Sequence, residues 1–126
     1  MDHHAYRHAL AGTLGGSELP FPPAEFAARL ARVRAAIHSA GLDALLLTDP
    51  ADIFYLTGYH TFEVSVHTAL VVSAERLVLQ VPSIETGPAV VTAAVDEILG
   101  YRWEGIEEVI APLAETLAAQ RAIGLD

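Results

Sequence analysis

Apolar side chains recur at Phe26, Leu30, Val33 and Ile37, in steps of four, three and four. That is the stripe a helix buries when one face meets a core and the others meet water. Pro22-Pro23 suits its start, because proline in the first turn gives up no intrahelical hydrogen bond. Glu25 sits where the helix dipole favours a negative charge, and Gly41 supplies a left-handed stop. The pattern predicts a helix over about 24–40, with Arg29, Arg32 and Arg34 lying off the stripe. Leu42 to Thr48 then runs apolar without alternation, which predicts a strand covered on both faces. Ala69–Ser73 and Leu77–Val81 are further strands, and Ala74-Glu75-Arg76 between them reads as a hairpin turn.

The remaining periodicity is weaker. Ile84–Val95 predicts a helix with a poor start, since Gly87 and Pro88 fall near its first turn. Ile98–Tyr101 predicts a strand. Pro112 argues against a helix interior, so the next helix is expected to begin near Ile110 or Ala111, with Leu113 and Leu117 facing the core. Ile123-Gly124-Leu125-Asp126 has the character of another strand. Residues 1–20 carry a glycine-rich stretch that leads into the Leu19-Pro20-Phe21-Pro22-Pro23 run, and read as a flexible extension held only where Leu19 and Phe21 pack. The order helix, strand, short helix, hairpin, helix, strand, helix, strand predicts one α/β domain over residues 21–126. Its expected form is three layers, with a mixed five- to six-stranded sheet flanked by helices.

The most informative segment is Asp49-Pro50-Ala51-Asp52-Ile53-Phe54-Tyr55-Leu56-Thr57-Gly58-Tyr59. Asp49 before Pro50 caps a short helix near 50–56, and Gly58 ends it. Capping is a simpler reading of Asp49 and Asp52 than a paired-carboxylate site. Phe26-Ala27-Ala28-Arg29-Leu30, Val33-Arg34 and Gly41 to Leu47 precede it, and Tyr55-Leu56-Thr57-Gly58-Tyr59 closes it. The later hairpin, Tyr101-Arg102-Trp103 and Ile123 to Asp126 follow in turn. In that order these pieces resemble the N-terminal domain of the creatinase/prolidase ("pita-bread") metalloenzymes, over about residues 21–126.

The resemblance implies a domain that precedes a larger catalytic domain, shapes and caps its active site, and aids dimerisation without performing chemistry. Family members include Xaa-Pro dipeptidases, aminopeptidase P-like enzymes, creatinase and ectoine hydrolases. In the peptidases the second domain holds two metal ions on two aspartates, a histidine and two glutamates, whereas creatinase works without metal. The expected parent is therefore an Xaa-Pro peptidase-like hydrolase of a C–N bond, with Mn, Co or Zn in a catalytic domain downstream of residue 126. This chain alone is expected to be non-catalytic and to hold neither metal nor cofactor. Its expected partners are its own C-terminal catalytic domain and a second copy in a homodimer. An alternative is a creatinase- or ectoine-hydrolase-like small-amide hydrolase, to which Tyr59-His60-Thr61-Phe62 with His67 is closer. Another is a free-standing binding or assembly module.

Within that frame Tyr59, His60, Phe62 and His67 are the candidate substrate contacts, since aromatic and imidazole groups suit a small zwitterion or a proline ring. The competing reading is a polar loop in which, if extended, Glu63, Ser65 and His67 share one face. His60, Glu63 and His67 lack the i, i+4 pairing of a helical zinc motif. His3, His4 and His8 in the extension read as a solvated tail. Charge narrows the partners. Sixteen acids against seven arginines give −9, which repels nucleic-acid phosphates. No stretch approaches the roughly 18 apolar residues of a membrane span. The first eight residues lack an apolar signal core and the chain has no cysteine, so a cytoplasmic setting is expected.

Overall fold

A computed structural model describes residues 5, 8, 9, 19–61, 63–102 and 104–126. Helix α1 (Pro23–Ser39) buries Phe26 and Ile37 and begins with proline in its first turn. Gly41, at φ 71°, turns the chain out of it. The N–H of Leu42 then donates to Ile37 O at 3.0 Å and that of Gly41 to His38 O at 3.1 Å. These two bonds satisfy carbonyls that the helix end would otherwise leave bare.

The sheet comprises β1 (Ala44–Leu47), β2 (Ala69–Ser73), β3 (Leu77–Pro82), β4 (Glu97–Tyr101) and β5 (Ile123–Leu125). Their spatial order is β4-β3-β2-β1-β5. β2 pairs antiparallel with both β1 and β3, while β3–β4 and β1–β5 are parallel. Four strands therefore point the same way and β2 alone opposes them. Helix α2 (Pro50–Thr57) follows β1, and α3 (Thr86–Thr92) and α4 (Glu107–Leu117) form the later crossovers.

Alternation along the strands divides the core in two. Leu47, Leu70, Val72, Leu77, Leu79 and Ile98 face α1, α2 and α3 together with Ile37, Ile53, Leu56 and Ala89. Val71, Val78 and Leu99 face the other way, against Leu113 and Leu117 of α4. The three-layer α/β architecture expected from the sequence is thus present, with five strands.

Several boundaries differ from the sequence reading. Residues 84–95 do not form one helix: a 3-10 turn covers Ser83–Glu85, α3 ends at Thr92, and Ala93 is already extended. Gly87 and Pro88 keep the element short by weakening its first turn. Helix α4 starts at Glu107, so Pro112 lies inside it. The ring costs one interior bond, the one Glu108 O would have received, and the Leu113–Leu117 contact with the sheet outweighs that loss. All three arginines set off the stripe are engaged, Arg32 through Nη2, which donates to the Tyr55 hydroxyl at 3.2 Å. Arg29 lies 4.5 Å from the ring centre of Tyr55 and 4.8 Å from that of Phe21, and Arg34 Nε donates to Ser73 O at 2.8 Å. Of the predicted extension, Leu19 is half-buried and Pro20 packs beside Gly58; His3 and His4 lie outside the described residues.

Candidate functional site

The carboxyl ends of β1, β3, β4 and β5 lie on one rim of the sheet, where β2 begins. In open α/β sheets this rim is where ligands bind, because loops leave the strands there and leave a crevice between them. On it stand Thr48 and Asp49, the loop from Tyr59 to His67, Glu85, Tyr101 and Asp126.

Helix α2 delivers the loop. The carboxylate of Asp49 caps it, accepting from Ala51 N at 2.8 Å and Asp52 N at 3.4 Å. At the other end Gly58 takes φ 82° and its N–H donates to Phe54 O at 2.8 Å. The hydroxyl of Thr57 donates to Ile53 O at 2.7 Å and accepts from Tyr59 N at 3.0 Å, so the exit is fixed from both sides. Asp49 is a cap, as the sequence suggests.

Tyr59 is 2% exposed and belongs to the core shared with α1–α3. Its hydroxyl donates to Glu85 Oε2 at 3.3 Å. Burial first, and then the Glu85 carboxylate, push its pKa well above the ordinary tyrosine value, so the phenol stays protonated and a donor. His60 is exposed, edge-on to Phe54 with ring centres 6.1 Å apart. Phe62 lies outside the described residues.

His67 is half-buried on the opposite, α4-facing side of the sheet. Its Nε2 is 2.7 Å from Gln80 Oε1. The Gln80 side chain is wholly buried and donates from Nε2 to Val109 O at 2.8 Å. A carbonyl only accepts, so this bond fixes which way the amide points: Oε1 faces His67, and His67 Nε2 carries the proton. In the neutral ring Nδ1 is then the acceptor. Tyr101 holds the same residue from another direction, its hydroxyl donating to His67 O at 2.6 Å and its ring centre 5.6 Å from the imidazole. Burial raises the Tyr101 pKa, which keeps that donor protonated.

Residues 63–66 form a turn rather than a strand. Val66 N donates to Glu63 O at 3.2 Å, and the Glu63 carboxylate accepts from Ser65 hydroxyl and amide. The hydroxyl first and the amide second hold that carboxylate below its ordinary pKa. The extended conformation under which Glu63, Ser65 and His67 would share one face is therefore not formed. Among the described residues no three histidine, aspartate or glutamate side chains gather where they could hold a metal ion.

Tyr59 and His67 thus reach the same rim from two sides of the sheet. A cavity of about 20 Å³, the size of a single water, lies between Thr48, Ile53, Tyr59, His60, Thr61 and Thr68. The acidic side of the rim is equally ordered. Asp126 accepts from Thr48 N at 3.0 Å and Asp49 N at 2.7 Å. Burial works against its charge, but the Asp49 and Thr48 amides prevail and lower its pKa. Asp52 shifts the other way, raised first by burial and then by Asp49. Gln80, Glu85 and Tyr101 are the partners sequence reasoning did not assign. Gln80 carried a signal, as the one polar residue in Leu77–Val81.

Comparison with known proteins agrees with this architecture. The profile of the Creatinase/Prolidase N-terminal domain matches residues 29–126. A proline dipeptidase from Streptococcus pneumoniae superposes with a TM-score of 0.65 at 25% identity, over 78% of this chain and 73% of that one. An Xaa-Pro dipeptidase from Bacillus anthracis superposes at 0.63 and 22% identity, over 80% of this chain and 27% of that one. An ectoine hydrolase from Halomonas elongata is 39% identical over 57 residues, which are 45% of this chain and 14% of that protein. The chain therefore spans only a small part of the length of the curated relative it matches. With the profile covering most of its residues, the chain belongs to the creatinase/prolidase N-terminal domain family.

Proposed function

We propose that this chain is the non-catalytic N-terminal domain of an Xaa-Pro dipeptidase- or aminopeptidase P-like metallohydrolase. In that role its carboxyl-end rim closes over the active site of a following domain, restricts the size of the pocket and contributes to a homodimer. The observation that carries the reading is the loop from Tyr59 to His67. It projects from the carboxyl-end rim, where open α/β sheets bind ligands, and its histidine ring is held in one orientation by Gln80 and Tyr101. An imidazole so fixed recognises a substrate group through Nδ1, and exposed His60 adds a second polar contact. Phe62, from the same segment of sequence, is a further proposed substrate contact. The hydrolytic chemistry belongs to the following domain, whose divalent metal (Mn, Co or Zn) would polarise the scissile carbonyl and supply hydroxide.

A second reading keeps the same role for the domain but makes the parent a small-amide hydrolase. The 39% identity to an ectoine hydrolase favours it. Steady-state kinetics on the full-length enzyme, with Xaa-Pro dipeptides and with ectoine, separate the two. His67→Ala is expected to raise KM at least about tenfold while leaving kcat within twofold, the signature of lost uniform binding. An unchanged KM would remove His67 from the site. Turnover of an Xaa-Pro dipeptide by residues 1–126 alone, with Mn²⁺ or Co²⁺ supplied, would refute the non-catalytic assignment.

A further inference from the structure

The opposite rim of the sheet, where β1 begins and β2 passes into β3, carries a cleft of about 440 Å³. It lies between the last turns of α1, Leu42 and Asp43, and the turn from Ser73 to Arg76. The size is within the range of small-molecule sites, roughly 300–1,000 Å³. Four strand residues of β1 separate it from Asp49, so it is distinct from the Tyr59–His67 loop.

Arg34 is the group that marks it. Its Nε donates to Ser73 O at 2.8 Å, which fixes the plane of the guanidinium. Its Nη2 is buried and has no hydrogen-bond partner. A desolvated charged donor left unpaired is unfavourable, and a planar oxyanion satisfies a guanidinium edge better than any other group. Two neighbouring charges are already engaged. Asp43 Oδ2 accepts from Arg121 N and Ala122 N, both at 2.9 Å, and Arg76 is paired with Glu97. Arg34 is therefore a cation available to a ligand, with His38 on the same wall and with Asp43 and Glu75 also lining the cleft to disfavour a second negative charge. Ile37 and Leu42 give the cleft an apolar wall.

We propose that this cleft binds a small monocarboxylate with a branched aliphatic tail, its carboxylate on the Nη edge of Arg34 and its tail against Ile37 and Leu42. The test is amide-resolved NMR titration of the 126-residue chain with 4-methylpentanoate, acetate and inorganic phosphate. Saturable shifts are expected at Arg34–Leu42 and Ser73–Arg76 with 4-methylpentanoate. Acetate should bind at least about tenfold more weakly, because the buried tail supplies affinity that it lacks. Arg34→Gln should abolish the shifts. Since that substitution also removes the tie to Ser73, Ala74→Phe provides a second arm, filling the cleft from the turn while leaving Arg34 and its bond in place. The proposal is overturned if no shift saturates, if both variants still bind, or if phosphate binds as tightly as 4-methylpentanoate. It is equally overturned if sedimentation shows a concentration-dependent dimer that Ala74→Phe abolishes without added carboxylate, since a second copy would then supply the anion.

Discussion

Replacing Gly58 with alanine tests whether one residue fixes both the end of α2 and the start of the candidate loop. At φ 82° an L-residue meets left-handed strain, which costs about 1–2 kcal/mol. A Cβ there would also stand 3.0 Å from Pro20 Cδ, 3.1 Å from Phe26 Cζ and 3.1 Å from Thr92 O. Phe26 is buried and Thr92 O is main chain, so neither can swing aside. Overpacking of this kind adds about 1–3 kcal/mol. The expected total is about 2–5 kcal/mol, a large share of the roughly 5–15 kcal/mol that holds a domain folded. Gly41→Ala is the internal control. Its φ of 71° brings similar strain, but nothing lies within 4 Å of the added carbon, so about 1–2 kcal/mol is expected. Urea unfolding followed by far-ultraviolet circular dichroism reads the difference. With a slope of about 2 kcal/mol per molar, Gly58→Ala should lower the midpoint by about 1–2.5 M and Gly41→Ala by about 0.5–1 M. Equal shifts for the two variants would refute the claim that close packing at Gly58, rather than its conformation alone, makes glycine necessary.

Gln80→Leu should destabilise by about 1–3 kcal/mol in the same assay, because it leaves His67 Nε2 without its acceptor beside a buried side chain and removes the second donor to Val109 O. It should also broaden the His67 ring signals in an NMR spectrum; unchanged signals would show that the amide does not orient the ring. Asp49→Ala removes the α2 cap and should cost about 0.5–2 kcal/mol, with Asp49→Asn or Asp49→Ser recovering most of it. Acid titration provides a third check. The Ala122 and then the Arg121 amide hold the folded Asp43 pKa below its ordinary 3.8, so the unfolded chain takes up that proton first. Its contribution is full above that ordinary value and is lost as pH falls through the lower folded one. Asp43→Asn should flatten the fall of the urea midpoint below about pH 4, and an unaltered slope would count against the Asp43 contacts.

Much of the fold was legible because local signals and tertiary structure agreed. The four-three-four spacing of Phe26 to Ile37 and the glycine behind it specify α1. Asp49-Pro50 and Gly58 bracket α2 with a cap and a left-handed stop. The hairpin was visible as two β-branched and leucine-rich runs around the three-residue turn Ala74-Glu75-Arg76. Where the reading failed, a contact that periodicity does not encode decided the outcome, distant in one case and local in another. Pro112 is tolerated inside α4 because the next residue and Leu117 pack on the sheet. Residues 63–66 turn because Glu63 binds Ser65, a bond that alternation does not encode. The candidate site was legible as a region and not as an arrangement. Sequence spacing placed Tyr59 and His67 in one loop, but only the path of the strands puts them on opposite sides of the sheet. Gln80 looked like an interruption in a strand; its role depends on the α4 carbonyl 29 positions later in the chain.

The bonds from Asp126 to Thr48 and Asp49 join positions 78 and 77 residues apart. During synthesis β1 leaves the ribosome early, yet its second neighbour, β5, arrives only after the other four strands of this sheet. Until then one edge of β1 presents unpaired backbone groups, and the N-terminus of α2 lacks the carboxylate that joins it to β5. Such late, long-range closure slows folding and leaves a strand edge open to other chains. A ribosome paused before residue 123 would therefore hold a chain with most of its core but an unprotected sheet edge. That interval is when the nascent domain is most exposed to aggregation and has most to gain from a chaperone.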